Sequence, residues 1–394
     1  MRKIMLNGQW ELAEAGNDRL CEVQVPGSVL SGLYGAGKIE DPFYRTNEDV
    51  TRELFRKDYE FSRTFVAAED ILKEEKIILV CEGLDTLADI YINGQKAGSA
   101  DNMHRTWKLD VKEFLHSGEN QIRIVFRSVF KYIEAYEYED NKEIHYVPCG
   151  GMKGNQLIRK AHCMFGWDWG PQTIDAGIFR DIYLEAYSHP RIEDVKITQV
   201  HGDNAVDVCT TVAVSGDAVD KCQVRVTIQE DAESVCGHRT GANDRKTEAH
   251  VCKVGETVSA NNNPAVLTSS IHNPKLWWPN GYGDQSLYKV QVELLDEDGT
   301  VLETITKRIG LRTLTISQEK DLWGKEFTFC VNGVKIFAMG GIIFRRTASI
   351  PGSHRRSRSI FWNPANVPIL TVSVCGAAVI ILRIISMIFV MRWD

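Results

Sequence analysis

The spacing of its apolar residues limits the fold of this chain more than any other feature. Through the first 190 residues they recur at every second position in short runs, broken by turn-forming residues before reaching helical length. Side chains along a strand point alternately to opposite faces, so each such run has one apolar face that a second sheet must cover. The clearest hairpin is the run 87–92 followed by Asn93-Gly94, a dipeptide that adopts the two positive φ values of a type I′ turn. A further strand is expected over 121–126, after the turn Gly118-Glu119-Asn120. Many short alternating strands imply an all-β chain folded as antiparallel sandwiches.

A second β segment is expected over 190–316, with alternating runs at 223–228 and 288–294 and a length that suits an immunoglobulin-like sandwich. The stretch 231–250 is rich in Gly, Asn and charge and reads as an exposed loop. After Ser317, residues 327–331 should turn at Asn332-Gly333 into 335–339. At 394 residues the chain is long enough for two or three domains.

A net charge of −7 gives no basic surface for nucleic acid. Ten cysteines form no CxxC pair and no His/Cys cluster at zinc spacing, so no metal is expected and the thiols read as reduced core residues. No apolar stretch follows Arg2 and Lys3, which points to a cytoplasmic address.

The composition changes abruptly at Ile342. Residues 1–341 carry 39 Lys and Arg against 52 Asp and Glu, whereas residues 342–394 carry seven Arg, no Lys, no Glu and a single acid, Asp394. Residues 367–391 are apolar enough for a membrane helix, although Arg383 falls inside the run, and an arginine at a helix centre would cost about 2.5–3.5 kcal/mol.

The most distinctive block is Phe165-Gly166-Trp167-Asp168-Trp169-Gly170-Pro171, preceded by Arg159-Lys160-Ala161. Two indoles flanking a carboxylate suit a sugar, whose CH faces pack on aromatic rings while its hydroxyls donate to the acid. Residue chemistry alone favours two core indoles with Asp168 capping a turn, because Trp is common in sandwich cores. The wider pattern reverses that preference. Leu6-Asn7-Gly8-Gln9-Trp10, Val25-Pro26-Gly27-Ser28, Asp41-Pro42-Phe43-Tyr44, Ile92-Asn93-Gly94, the 159–171 block and Leu276-Trp277-Trp278-Pro279-Asn280-Gly281-Tyr282-Gly283 follow one another in the order found in family 2 β-mannosidases. Residues 1–341 therefore resemble the front portion of that family.

The resemblance implies a galactose-binding-like jelly roll over 1–189 and an immunoglobulin-like sandwich over 190–316. A linker hairpin and the first strand of a (β/α)8 barrel would occupy 317–341, and an aberrant tail 342–394. It implies that Trp167 and Asp168 contact the terminal mannose of a β-mannoside or manno-oligosaccharide, that Trp169 supports their loop, and that no cofactor takes part. Asp41 to Tyr44 could be pocket rim or plain packing, and the Trp277 to Gly283 block should pack at a domain boundary.

Retaining hydrolysis needs two carboxyl groups about 5–5.5 Å apart. In the family these are barrel glutamates, and no glutamate follows Glu326 here, so no catalytic residue is assigned and the chain alone is expected to be inactive. Asn47-Glu48 resembles the family's acid/base dipeptide but reads as exposed loop, and His104, His145 and His162 as packing or surface residues. Shifting the reading frame over 342–349 and 361–382 yields two stretches similar to the family's barrel, so a frameshifted tail explains more than a membrane anchor. The alternatives are a carbohydrate-binding sandwich tethered by a C-terminal membrane helix and a relative of the exo-β-glucosaminidases.

Overall fold

A computed structural model of the chain describes residues 2–140, 151–166, 171–231, 254–260, 263–338, 340–343 and 372–375. Up to Ser188, two sheets enclose one core, and their alternating strands account for it directly. In the four-stranded sheet, Arg2–Met5, Ile182–Tyr187, Lys76–Cys81 and Trp107–Asp110 lie side by side. The six-stranded sheet runs Arg19–Val25, Gly8–Glu14, Tyr59–Ala67, Gly118–Phe126, Ala88–Ile92 and Gln95–Ala100. All these pairs are antiparallel. Trp10, Phe61, Ile122 and Ile124 from the larger sheet meet Ile77, Leu79 and Leu184 from the smaller, all fully or almost fully buried.

The Asn93-Gly94 turn forms as its residues dictate, with φ of 49° and 80°. Asn93 does more than turn the chain. Its Nδ2 donates to Phe114 O and Asn120 Oδ1, both at 2.8 Å, while its Oδ1 accepts the Gln121 N–H at 2.8 Å. Asn120 is buried and is tied to His116 and Gly118, so the expected turn at 118–120 is instead the start of the long strand Gly118–Phe126. Pairing with Ala67 begins at Gly118 itself, because the neighbouring strand extends that far.

From His189 to Ile342 the chain forms a second compact unit. A three-stranded sheet of Arg191–His201, Ala205–Ser215 and Ala265–His272 shares a core with a four-stranded sheet ordered Val254–Ser259, Gln223–Glu230, Tyr288–Leu295 and Val301–Ile309. Seven antiparallel strands divided three and four make an immunoglobulin-like sandwich. Within it, Val206, Val208, Val212 and Val214 alternate into the core from one strand and Val290, Val292 and Leu294 from another. Asp231 is almost fully buried, with Lys289 and Arg308 as its ion-pair partners. The remainder of the expected 231–250 loop lies outside the described residues.

A small third sheet follows, formed by Leu314–Ser317, Thr328–Val331 and Val334–Ile336. Its first strand crosses residue 316, where the sequence suggested a boundary. Asn332, at φ 50°, pins this sheet to the preceding segment: its Oδ1 accepts from Thr313 N at 3.0 Å and its Nδ2 donates to Trp277 O at 3.0 Å. Trp277 is buried, with the Arg312 guanidinium 4.5 Å above its ring. The exposed apolar side chains lie elsewhere. Leu322 and Trp323 are 95% and 93% exposed, and Phe327 and Phe337 are also exposed.

Gly340–Ile343 and Val372–Cys375 pair as a two-stranded sheet. The helix expected over 367–391 is thus strand at its four described residues. The rest of that segment lies outside the described residues. Among the described residues no helix is long and apolar enough to cross a membrane, and no closed barrel is formed.

Two outcomes test this account. Asn93→Ala should lower stability by about 2 kcal/mol in urea unfolding, because three side-chain hydrogen bonds vanish and a β-carbon residue without a polar tip must hold a positive φ. Replacing Leu322 and Trp323 with Ser should slow aggregation of the purified chain, as read by light scattering, since large exposed apolar patches drive association.

Candidate functional site

Trp167, Asp168 and Trp169 lie outside the described residues, as does His145. What the structure defines is the frame from which the 167–170 segment springs. The incoming stem begins at Arg159, which bridges to Asn102, and continues through a short 3-10 turn, His162–Phe165. Phe165 is fully buried in the first core, and its carbonyl accepts the Met152 N–H at 2.8 Å. Gly166 follows at φ 89°, where a side chain would be strained, and a β-carbon there would sit 2.4 Å from Cγ of Gln172. The two stems therefore approach one another at Gly166 and Gln172.

The outgoing stem is held as firmly. Gln172 accepts a hydrogen bond from Arg52, whose guanidinium also reaches Asp49 at 2.7 Å on the helix Asn47–Leu54. Ile174 is core, and Gly177–Ile178 pairs antiparallel with Leu84–Asp85. Gly27 lies behind this strand with its N–H on Ile178 O at 2.8 Å. A β-carbon on Gly27 would fall 2.0 Å from Gln24 O, which explains the glycine of the Val25 to Ser28 motif.

Between the stems sits a buried charged cluster. The Lys160 side chain has no exposure, and its Nζ donates to Asp85 Oδ1 at 2.5 Å and to the Asp175 carbonyl at 2.7 Å. The Asp175 carboxylate accepts the N–H groups of Leu30 at 3.1 Å and Ala176 at 2.8 Å. Burial pushes Asp175 up to about 7, outweighing the hydrogen bonds from Ser28, Leu30 and Ala176 that favour the ion, with the nearby Asp85 charge adding to the rise.

Other expected residues resolve differently. Asn47 and Glu48 open a helix instead of lying in a loop, because Asn47 Nδ2 donates to Asp41 O at 2.9 Å and anchors that first turn. Phe43 and Tyr44 are exposed, while Pro42 is buried. His104 and His162 are exposed. Trp277 packs where the second sandwich meets the small third sheet, and Trp278 N–H donates to Asp284 O at 2.9 Å. A hollow on the outer face of the six-stranded sheet, lined by residues that include Gln9, Glu11, Glu22, Arg63 and Gln121, contains no stem residue. Among the described residues no group of three His, Cys, Asp or Glu is placed to hold a metal.

Sequence reasoning overlooked Lys160, Asp85 and Asp175 as a unit. Lys160 was visible only as part of the Arg159-Lys160-Ala161 prefix, and its carboxylate partner stands 75 residues away, so no local spacing announces the pair.

Two antiparallel sandwiches, the first with tightly held segments on either side of residues 167–170, define the front of a family 2 glycosyl hydrolase. Residues 10–180 match the glycosyl hydrolase 2 galactose-binding domain-like family and residues 191–312 match glycosyl hydrolases family 2, and the chain belongs to that family. Within it, the chain corresponds to the N-terminal portion of a β-mannosidase. It is 31% identical over 346 residues to β-mannosidase B of Emericella nidulans, covering 85% of this chain and 38% of that protein. Against β-mannosidase B of Aspergillus clavatus it is 31% identical, covering 80% of this chain and 35% of the relative. The solved β-D-mannosidase of Dictyoglomus thermophilum superposes with a TM-score of 0.76 at 29% identity, over 87% of this chain and 40% of that one. The exo-chitosanase CsxA of Amycolatopsis orientalis, at 15% identity and a TM-score of 0.56 over 87% of this chain and 37% of that one, shares the fold alone. The chain thus spans less than two fifths of the curated relatives it matches.

The raised Asp175 has a measurable consequence. Between about pH 4 and pH 7 the folded chain keeps a proton that the unfolded chain has released, so stability falls as pH rises through that window. Asp175→Asn retains an acceptor for Leu30 and Ala176 and should flatten the fall. Urea unfolding at pH 5 and pH 7 should show the difference, on the order of 2 kcal/mol.

Proposed function

We propose that this chain is the sugar-shaping front of a β-mannosidase: Trp167 and Asp168 meet the terminal mannose of a β-mannoside or manno-oligosaccharide, and Trp169 braces their loop. The observation that carries the reading is likeness to β-mannosidases through both sandwiches, at 31% identity over 346 residues. The clamped stems support it further, because a sugar platform must present its rings and carboxylate at fixed positions to gain from stacking and hydrogen bonding.

In this reading the chain binds and orients but does not cleave. Retaining cleavage proceeds through a carboxylate nucleophile and a carboxylic acid that protonates the leaving oxygen, on two groups about 5–5.5 Å apart. The family supplies both from its barrel, and no glutamate follows Glu326 in this chain. Half a pocket yields few contacts to offset the entropy of association, so any affinity for free sugar should be weak.

The purified chain should give no release of chromophore from a chromogenic β-mannoside above buffer, and titration with methyl β-mannoside should give a Kd no tighter than about 1 mM. Clear turnover would overturn the assignment of cleavage to residues outside this chain. Affinity in the micromolar range that Trp167→Ala leaves untouched would sink the sugar role of the loop.

A further inference from the structure

Two neighbouring strands of the six-stranded sheet part company before either ends. Gly8–Glu14 and Tyr59–Ala67 pair from Glu14 and Tyr59 as far as Glu11 and Ser62, and there their ladder stops. Two further steps would join Trp10 to Arg63 and Gln9 to Thr64. Instead, Gln9 and Trp10 stay with Gln24 and Val23 on one side of the fork, while Arg63 and Thr64 stay with Ile122 and Gln121 on the other. Arg63 spans the opening: its Nη1 donates to the carbonyls of Leu6 at 2.7 Å and Asn7 at 2.9 Å. Backbone oxygens leading into the diverging strand are thus satisfied by a side chain, and the fork is held open at little cost. A hollow of about 260 Å³ lies at this place on the outer face of the sheet.

Its walls follow from register, since residues directly opposite in an antiparallel pair project to the same face. Glu22, Glu11 and Ser62 form one outer row, and Thr64 and Gln121 belong to the next, with Gln9 completing that row beyond the gap. Glu11 and Glu22 would repel, but Arg19 donates to both, at 2.9 and 2.8 Å. With Arg63 on the floor, two carboxylates meet two guanidinium groups and the charges cancel. Gln9, Thr64 and Gln121 are exposed, and among the described residues the side chains of Gln9, Ser62, Thr64 and Gln121 have no hydrogen-bond partner in the protein.

A primary amide offers donors and acceptors together, and a hydroxyl does the same on a smaller scale. Two of each around an electrically balanced hollow match a solute whose own groups both donate and accept and which carries no charge. Sites for drug-sized ligands run from about 300 to 1,000 Å³, so a smaller solute, of one or two sugar rings, suits this volume. We propose that the fork is a binding site for a neutral saccharide, with the amides of Gln9 and Gln121 and the hydroxyls of Ser62 and Thr64 taking its hydroxyl groups. No residue of 159–177 lines the hollow, so the site goes beyond the function proposed above and does not rest on it. Hydrogen bonds to exposed groups replace bonds to water, and affinity is accordingly low.

The test is a titration of the isotope-labelled full chain with β-linked mannobiose, followed by the side-chain amide resonances of Gln9 and Gln121. Both should shift together and saturate with a Kd of about 1–10 mM. Thr64→Met, which fills the hollow and removes a hydroxyl, should weaken binding about fivefold or more, and Gln9→Ala with Gln121→Ala should do the same when binding is read from the mannobiose signals. Dimers of galacturonate and of glucosamine, one negative and one positive, should bind about threefold more weakly or worse. Trp167→Ala should leave the Gln9 and Gln121 shifts as they are. Absence of saturable shifts at about 100 mM mannobiose, or a Kd that both sets of hollow variants leave unchanged, overturns the site. Tighter binding of either charged dimer overturns its assignment to neutral sugars. Shifts lost in Trp167→Ala would place the binding outside the fork and overturn the proposal. Shifts retained there, with mannobiose binding wholly indifferent to Trp167, would count against the function proposed above and leave the fork standing.

Discussion

Strands such as Arg19–Val25, Gly118–Phe126 and Ala265–His272 have one face that water accepts and one that it does not. The apolar face can be removed from water only against another sheet, while the backbone N–H and C=O groups must still find partners. Antiparallel ladders satisfy the second demand and face-to-face packing the first. Both sandwiches follow from this pair of demands.

Several of the motifs that mark the family are explained by the scaffold. Asn7 joins the two sheets by donating to Asp181 at 2.9 Å and accepting the Ile182 N–H at 3.0 Å, and Trp10 fills the core with its Nε1 on Leu6 O at 2.8 Å. Ser28 caps a helix, Asn93 organises a hairpin, and Asn332 fastens the third sheet. Each of these residues meets a backbone demand that few other side chains can meet. A motif can therefore identify a family without marking the place where substrate is held.

The buried cluster of Lys160, Asp85 and Asp175 stands apart from these local devices. Lys160 and Asp85 hold opposite charges in a region with little water, so their attraction is strong and their tolerance of displacement small. Asp175 shows the opposing tendency, as burial raises its affinity for a proton despite two backbone donors. The cluster joins groups drawn from three separate parts of the chain.

The alternation of apolar residues was enough to indicate an all-β chain with two sandwiches, and Asn-Gly at 93–94 and 332–333 was enough to place two hairpins, since strand period and turn conformation are local properties of the backbone. Ordered motifs carried the family resemblance in the same way. Local spacing could not show that Gly118 already belongs to a strand, that Asn47 opens a helix, or that Trp277 is buried beneath Arg312, because each outcome depends on what a distant segment brings alongside. The Lys160–Asp85 pair is the extreme case: whether a lysine meets solvent or a carboxylate 75 residues away is decided only when the sheets close, by the low dielectric and the fixed distances that closure creates.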